Sequence, residues 1–150
     1  GSLLALAKEI ERRSLGIPIA IAGKERDRTG EIDAMIEAGL IRYLGVLPHA
    51  DVLALSAAAL ANINLSPVEG MPRTTLETLS VGGNVIVTKG IPEFDALATD
   101  AVVDPRQPAQ VADVLERMLS KPVVFPYIIT QHYVSETVPA LHHALIAASH

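Results

Sequence analysis

Apolar and polar residues alternate along the chain in two rhythms, one helical and one extended. Leu3, Leu6, Ala7 and Ile10 recur three and four apart with Lys8, Glu9, Arg12 and Arg13 opposite, which predicts an amphipathic helix over residues 3–13, stopped by Gly16. Residues 17–22 are apolar and end at Gly23, the pattern of a buried parallel strand. A charged loop over 24–30 leads into a helix over 31–38, closed by Gly39. Residues 40–44 form the next β-type run and 45–49 a turn; an Ala/Leu helix then begins at His49 or Asp51 and reaches Leu60. Two further β-type runs, 61–65 and 84–87, enclose a Pro- and Gly-bearing loop and a short helix that starts within residues 73–75. A short strand over 101–103 precedes a helix over 108–119, with Pro108 near its first turn and Val111, Val114, Leu115 and Met118 on one side. Residues 123–125 and 127–129 are β-prone but broken by Pro126, as in an edge or gap-filling strand. A last helix runs from Ser135 or Glu136 to about Ala147, with Pro139 in its first turn.

Strands alternating with helices define an α/β domain, a Rossmann-like doubly wound parallel sheet with helices on both faces. No repeat, low-complexity tract or linker divides the chain. Residues 3–150 therefore read as one domain, with Gly1 and Ser2 set aside as an expression scar.

Composition narrows the picture. A chain of 150 residues suits one core, and 49% apolar residues, mostly Ala, Leu, Val and Ile, favour a packed α/β domain over disorder. A formal charge of −5 gives no footing for nucleic acid or an anionic membrane, which call for Lys and Arg clusters. The absence of cysteine excludes disulfides and thiolate metal sites and is compatible with the cytosol. The longest uncharged run, residues 52–68, carries Asn62, Asn64, Ser66 and Pro67 and reads as a helix and a buried strand, not a membrane span. His142 and His143 are adjacent and point to different helix sides, and His49, His132 and His150 have no ligand spacing, so no metal site is expected.

The candidate chemistry lies in residues 66–88. Glu69 falls on the loop and Glu77 one turn inside the following helix, with seven residues between them. A helix N-terminus offers unpaired N–H groups and a positive dipole end, a ready phosphate site. Two carboxylates beside a phosphate are costly unless they accept hydrogen bonds from hydroxyls attached to it. A sugar nucleotide has that combination.

The wider frame carries a resemblance. Ser66-Pro67, Glu69-Gly70-Met71-Pro72, Leu76-Glu77, Gly82, Val85-Ile86-Val87-Thr88 and Gly90-Ile91-Pro92-Glu93 resemble the signature of retaining glycosyltransferases with the GT-B fold, the family-four and glycogen-synthase-like type. Upstream, Tyr43-Leu44-Gly45-Val46-Leu47-Pro48-His49 is similar to a strand and turn of the same family. The likeness covers the chain from about Leu3 onward and implies the C-terminal, donor-binding half of such an enzyme, truncated at its N-terminus.

By that resemblance Glu69 is the catalytic-site residue that holds hydroxyls of the transferred sugar, and Glu77 binds the ribose hydroxyls. Gly70, Met71, Pro72, Arg73, Thr74 and Thr75 form the backbone cradle of the sugar and diphosphate, Gly70 allowing close approach. Leu47 stands where the base lies against backbone amides. Lys89, Asn84 and Thr78 replace the family's usual Gly, Pro and Ala. The resemblance further implies a hexosyltransferase that uses a UDP-sugar, less often a GDP-sugar, without metal or other cofactor. It retains anomeric configuration by front-face displacement, and its glycan or lipid-linked acceptor sits on an N-terminal domain. The location implied is cytoplasmic, or peripheral on the inner membrane face for the parent.

Two structural expectations follow from the same comparison. The family's first strand, with an Arg and a Lys that neutralise the leaving diphosphate, has no counterpart here, so the isolated chain is expected to be inactive. That strand is central in the order 3-2-1-4-5-6, so a gap in the sheet is expected. Residues 123–129, the same segment of a second copy, closure of the half-sheets, or dimer pairing would fill it. Two alternatives remain beside the main reading. One is a receiver-type signalling domain, suggested by Thr88-Lys89 but with Gly23, Gly45 and Ser66 at strand ends where acids belong. The other is a fragment of a GT-B epimerase or phosphorylase.

Overall fold

The computed structural model describes residues 2–25, 28–66, 70, 72–96 and 99–121. Its elements alternate as α1 (Ser2–Arg12), β1 (Ile19–Ile21), α2 (Gly30–Glu37), β2 (Ile41–Tyr43), α3 (His49–Ala58), β3 (Asn62–Asn64), α4 (Arg73–Ser80), β4 (Val85–Thr88), α5 (Pro92–Asp95), β5 (Val102–Val103) and α6 (Pro108–Met118). The short helix α5 was not among the elements expected from the sequence. The expected strand at 123–129 and helix at 135–147 lie outside the described residues.

Helices α1, α2 and α4 stop by one device. The residue after the cap turns left-handed and the last carbonyls are taken up by the two N–H groups that follow. In α2 Gly39 (φ 71°) fills that place, with Gly39 N–H donating to Ile36 O and Leu40 N–H to Met35 O, at 3.0 and 2.9 Å. In α4 it is Gly82 (φ 76°). In α1 it is Ser14 (φ 54°), with Leu15 N–H donating to Ile10 O at 3.2 Å. The stop therefore comes two residues before Gly16, because the anchor is Leu15, which is half-buried and packs on the core. Helix α2 also starts by a side-chain cap, Thr29 accepting from Ile32 N–H at 3.4 Å. Helix α3 ends at Ala58, short of the expected Leu60, because Ala59 is already extended (ψ 151°).

Among the described residues every strand pair is parallel. β1 pairs with β2 (Ile19 opposite Ile41), β3 with β4 (Asn62 opposite Val85), and β4 with β5 (Val87 opposite Val102). Two half-sheets result, β1-β2 and β3-β4-β5, and among the described residues no ladder joins them. Among the described residues the two half-sheets thus remain separate.

The larger core surrounds β4, whose four residues are all buried, so both of its faces are covered. Leu6 and Ile10 of α1, Val111, Val114, Leu115 and Met118 of α6, Leu79 of α4 and Phe94 of α5 pack around it. A smaller core joins Ala7 of α1, Met35 of α2 and Ile41 of β2. Helix α1 thus spans both halves on one face. Each fully buried aliphatic side chain of this kind contributes about 1.5–3 kcal/mol. The expectation that residues 17–22 are a buried strand is met only in part: the strand covers Ile19–Ile21, and residues 17–22 are half-buried or exposed. Ile19 and Ile21 turn to the α1–α2 side, while Pro18, Ala20 and Ala22 are exposed, because no described helix packs on the second face of β1-β2.

Arg13 ties the end of α1 to α6. Its guanidinium donates to Glu9 at 2.7 Å, to Asp113 at 2.5 Å and to the carbonyl of Ala109 at 3.2 Å. Hydrogen bonds from Arg12 and then from Arg13 lower the Glu9 carboxyl from its ordinary 4.5 to about 2. The folded carboxylate is more acidic than the unfolded one, so its contribution to stability is whole above pH 4.5 and is lost as pH falls toward 2. A urea midpoint that is flat from pH 7 to 5 and declines below that is expected, with a shallower decline in Glu9→Gln. Identical pH profiles for the two proteins would show that the contact does not persist in solution.

Candidate functional site

The C-terminal ends of parallel strands are where α/β folds hold ligands, and here side-chain and backbone bonds shape that edge. Gly23 N–H donates to Gly45 O at 2.9 Å, joining the turns after β1 and β2. Tyr43 Oη–H donates to Gly23 O at 2.7 Å, and the Arg28 guanidinium lies 4.9 Å over the Tyr43 ring while paired with Asp33. Gly45 (φ 69°) turns the chain into residues 46–48, where Val46 is 69% exposed and Leu47 half-buried before Pro48 caps α3. After β3, Asn64 Oδ1 accepts from Ser66 N–H at 2.9 Å and sets the chain's departure toward α4.

Helix α4 follows β3, its N-terminus beyond that strand's C-terminal end. Pro72, buried, occupies the cap position and offers no side-chain acceptor; its carbonyl accepts from Thr75 N–H at 3.1 Å and Leu76 N–H at 3.3 Å. The N–H groups of Arg73 and Thr74 have no partner among the described residues. No acid stands in the first turn, so no side chain of the helix itself offsets the positive end of its dipole there. Arg73 and Thr74 are exposed and Glu77, one turn further, is half-buried. Neither Arg73 nor the Glu77 carboxylate has an ion-pair or hydrogen-bond partner among the described residues. Thr75 is 0% exposed, and its hydroxyl has no partner among the described residues; the same holds for Thr88, 1% exposed, at the end of β4. Gly70 is exposed, while Glu69 and Met71 lie outside the described residues.

Leu47 thus lies on the turn that follows β2, and Gly70, Pro72, Arg73, Thr74, Thr75 and Glu77 lie on the turn and helix that follow β3. Three positions that depart from the resembled pattern have structural explanations. Asn84 donates through Nδ2 to Leu60 O at 3.0 Å, tying the start of β4 to the approach to β3. Thr78 is buried and its hydroxyl donates to Thr74 O at 2.8 Å. Lys89 lies exposed beyond β4, where its N–H donates to Val103 O at 2.8 Å.

Lys89 also lines an open cleft of about 390 Å³ with Asp95, Thr99, Val102, Asp104, Gln107 and Gln110. This cleft sits beyond β4 and β5 and shares no residue with the group around α4. Two of its acids are engaged. Asp95 caps Gly90 N–H at 3.0 Å, and side-chain hydrogen bonds from Arg106 hold the Asp104 carboxyl well below the usual carboxylate range. Among the described residues no three His, Asp or Glu side chains gather as a metal-ligand set.

Parallel strands alternating with helices define a Rossmann-like half-domain. Residues 2–121 match the family described as Glycosyl transferases group 1, and the chain belongs to that family. Its fold is accordingly that of a GT-B half, and the chemistry of the family is glycosyl transfer. No curated protein and no solved structure matches the chain significantly. Among the described residues no helix is long and apolar enough to cross a membrane.

Proposed function

We propose that this chain is the donor-binding half of a retaining hexosyltransferase and holds a nucleotide-diphosphate sugar, UDP-sugar ahead of GDP-sugar. The observation that carries the reading is the start of α4: N–H groups of Arg73 and Thr74 and, one turn in, a Glu77 carboxylate that have no partner among the described residues, with no acid in the first turn. A diphosphate would take the N–H groups, with the Arg73 side chain beside it. Glu77 would accept from the ribose hydroxyls, and the backbone around Leu47 would receive the base. Glu69 and the segment from Gly70 through Met71 to Pro72 would hold the sugar. No metal is called on in this reading, because helix dipole and N–H groups supply the positive charge. The acceptor, a glycan or a lipid-linked sugar, would be presented by an N-terminal domain of the parent, with retention by front-face displacement.

A thermal-shift titration of the 150-residue chain with UDP, GDP, UMP and acetyl phosphate tests this. UDP at 100 times its dissociation constant is expected to add about 2.7 kcal/mol, and UMP, with one phosphate fewer, less at equal concentration. Glu77→Ala should weaken UDP about 10- to 100-fold, since it deletes charge-assisted hydrogen bonds. No shift with any nucleotide, or an unchanged UDP response in Glu77→Ala, would overturn the reading. A response to acetyl phosphate alone would favour the receiver-type alternative.

A further inference from the structure

The cleft beyond β4 and β5 takes no part in the donor cradle. Its place follows from the sheet. Lys89 is the first residue after β4, its N–H held by Val103 O at 2.8 Å, and Asp104 is the first after β5. Both therefore stand at C-terminal strand ends, where α/β folds hold ligands. Asp95 of α5 and Gln110 in the first turn of α6 also line it. The volume of about 390 Å³ lies within the range of small-molecule sites, about 300–1,000 Å³.

Hydrogen-bonding capacity of both kinds remains in this cleft. The Lys89 ammonium has no partner among the described residues. Gln110 commits its Oε1 to Asp104 N–H at 3.0 Å, which leaves its amide NH2 to give. Thr99 Oγ1 accepts from Ala101 N–H at 3.2 Å and keeps its own proton to give. On the accepting side Asp104 is taken up by Arg106, through the backbone N–H at 3.0 Å and the guanidinium at 2.9 and 2.7 Å. Asp95 accepts only Gly90 N–H among the described residues, at 3.0 Å, and a carboxylate has about four acceptor sites.

The charges select the class of ligand. Arg106 matches Asp104, which leaves the Lys89 ammonium against the Asp95 carboxylate. An anion would meet Asp95, and a cation would meet Lys89. A neutral group with many hydroxyls meets neither penalty, since a hydroxyl can give to Asp95 and take from Lys89, Gln110 or Thr99. Val102 adds an apolar contact for the C–H face of a ring. β3 and β4 are paired neighbours, so Lys89 leaves the sheet about one strand spacing, about 4.8 Å, from the strand that feeds α4.

We propose that this cleft is a saccharide-binding site separate from the donor cradle, in which Lys89, Gln110 and Thr99 donate to sugar hydroxyls and Asp95 accepts from them. The chemistry of the family is glycosyl transfer, so an acceptor or product glycan is the saccharide at hand. The site rests on the family and not on which nucleotide α4 holds.

Amide NMR spectra of the isotope-labelled full chain, titrated with the methyl glycosides of glucose, mannose, galactose and N-acetylglucosamine, test the assignment. At the efficiency of ordinary small ligands a methyl hexoside binds with a Kd on the order of 1 mM. At least one glycoside is expected to move the amides of Lys89, Gly90, Thr99, Val102 and Gln110 saturably in that range, leaving those of Arg73, Thr74 and Glu77 in place. Lys89→Met and Gln110→Met should each weaken it about 5- to 10-fold, with the thermal response to UDP as in the wild type. A chain that binds the glycoside and ignores UDP would keep this site and lose the donor reading. Silence at those amides with every glycoside well above that Kd, unchanged binding in either variant, or equal movement by glycerol would overturn the proposal. Displacement of the glycoside by UDP would place it in the donor cradle, and displacement by inorganic phosphate would make the cleft an anion site; either result would overturn it as well.

Discussion

Phe94→Ala is expected to lower the unfolding free energy by about 3–5 kcal/mol, the range for removing a large aromatic from a core. Phe94 is 0% exposed and heads the fully buried side chains by volume. It belongs to α5, a helix of four residues, far too short to form unaided. What holds α5 is its burial, Phe94 and Ile91 entering the core with β4 and β5, together with the Asp95 bond to Gly90 N–H. Truncation would leave a cavity and release the connection from β4 to β5. Urea denaturation followed by circular dichroism should show the midpoint fall with the slope unchanged. Phe94→Leu, which keeps most of the volume, should cost no more than about 1.5 kcal/mol. A loss under about 1 kcal/mol in Phe94→Ala would mean that the site collapses around the smaller side chain or that α5 is not docked in solution.

Gly83→Ala is expected to cost about 2–3 kcal/mol through overpacking. A Cβ there would lie 2.5 Å from the carbonyl oxygen of Ser56, 2.7 Å from Thr78 Cγ2 and 3.1 Å from the carbonyl oxygen of Thr78. Two of these atoms are backbone, one in α3 and one in α4, so relief requires the helices to part. Movement of α4 also displaces the N–H groups of Arg73 and Thr74, so the UDP response should weaken in the same variant. Adding Thr78→Ala removes only the methyl clash and should restore stability in part. Gly82→Ala meets no atom within 4 Å but is held at φ 76°, and a cost of about 1 kcal/mol is expected from that strain. Equal stabilities for Gly83→Ala and wild type would show slack between α3 and α4 that the packing does not display.

The alternation of elements, the parallel sense of the sheet and the family were all legible in the chain. Helix faces such as Leu6, Ala7 and Ile10, and stops such as Gly39, depend on residues within a turn of each other. The frame around residues 66–93 likewise placed α4, its N-terminus and Glu77 before any contact was known. Local signals also had limits: Gly16 drew attention from Ser14, because a serine in a left-handed stop is uncommon and its anchor, Leu15, shows its role only once it packs on the core.

Other features were decided by partners far along the chain. Phe94 stands in a short stretch with no period, and its place in the core comes from β4, β5 and α6 meeting around it. The need for glycine at 83 comes from Ser56, 27 positions away. The exposed side of Ala20 and Ala22, like the edges of β1 and β3 that no described residue pairs with, reflects which strands and helices lie beside them. Hydrogen bonding within a turn and hydrophobic period are properties of neighbouring residues and can be read in order. Burial, edge pairing and steric fit are properties of what the fold brings together from a distance, and they exist only once it has done so.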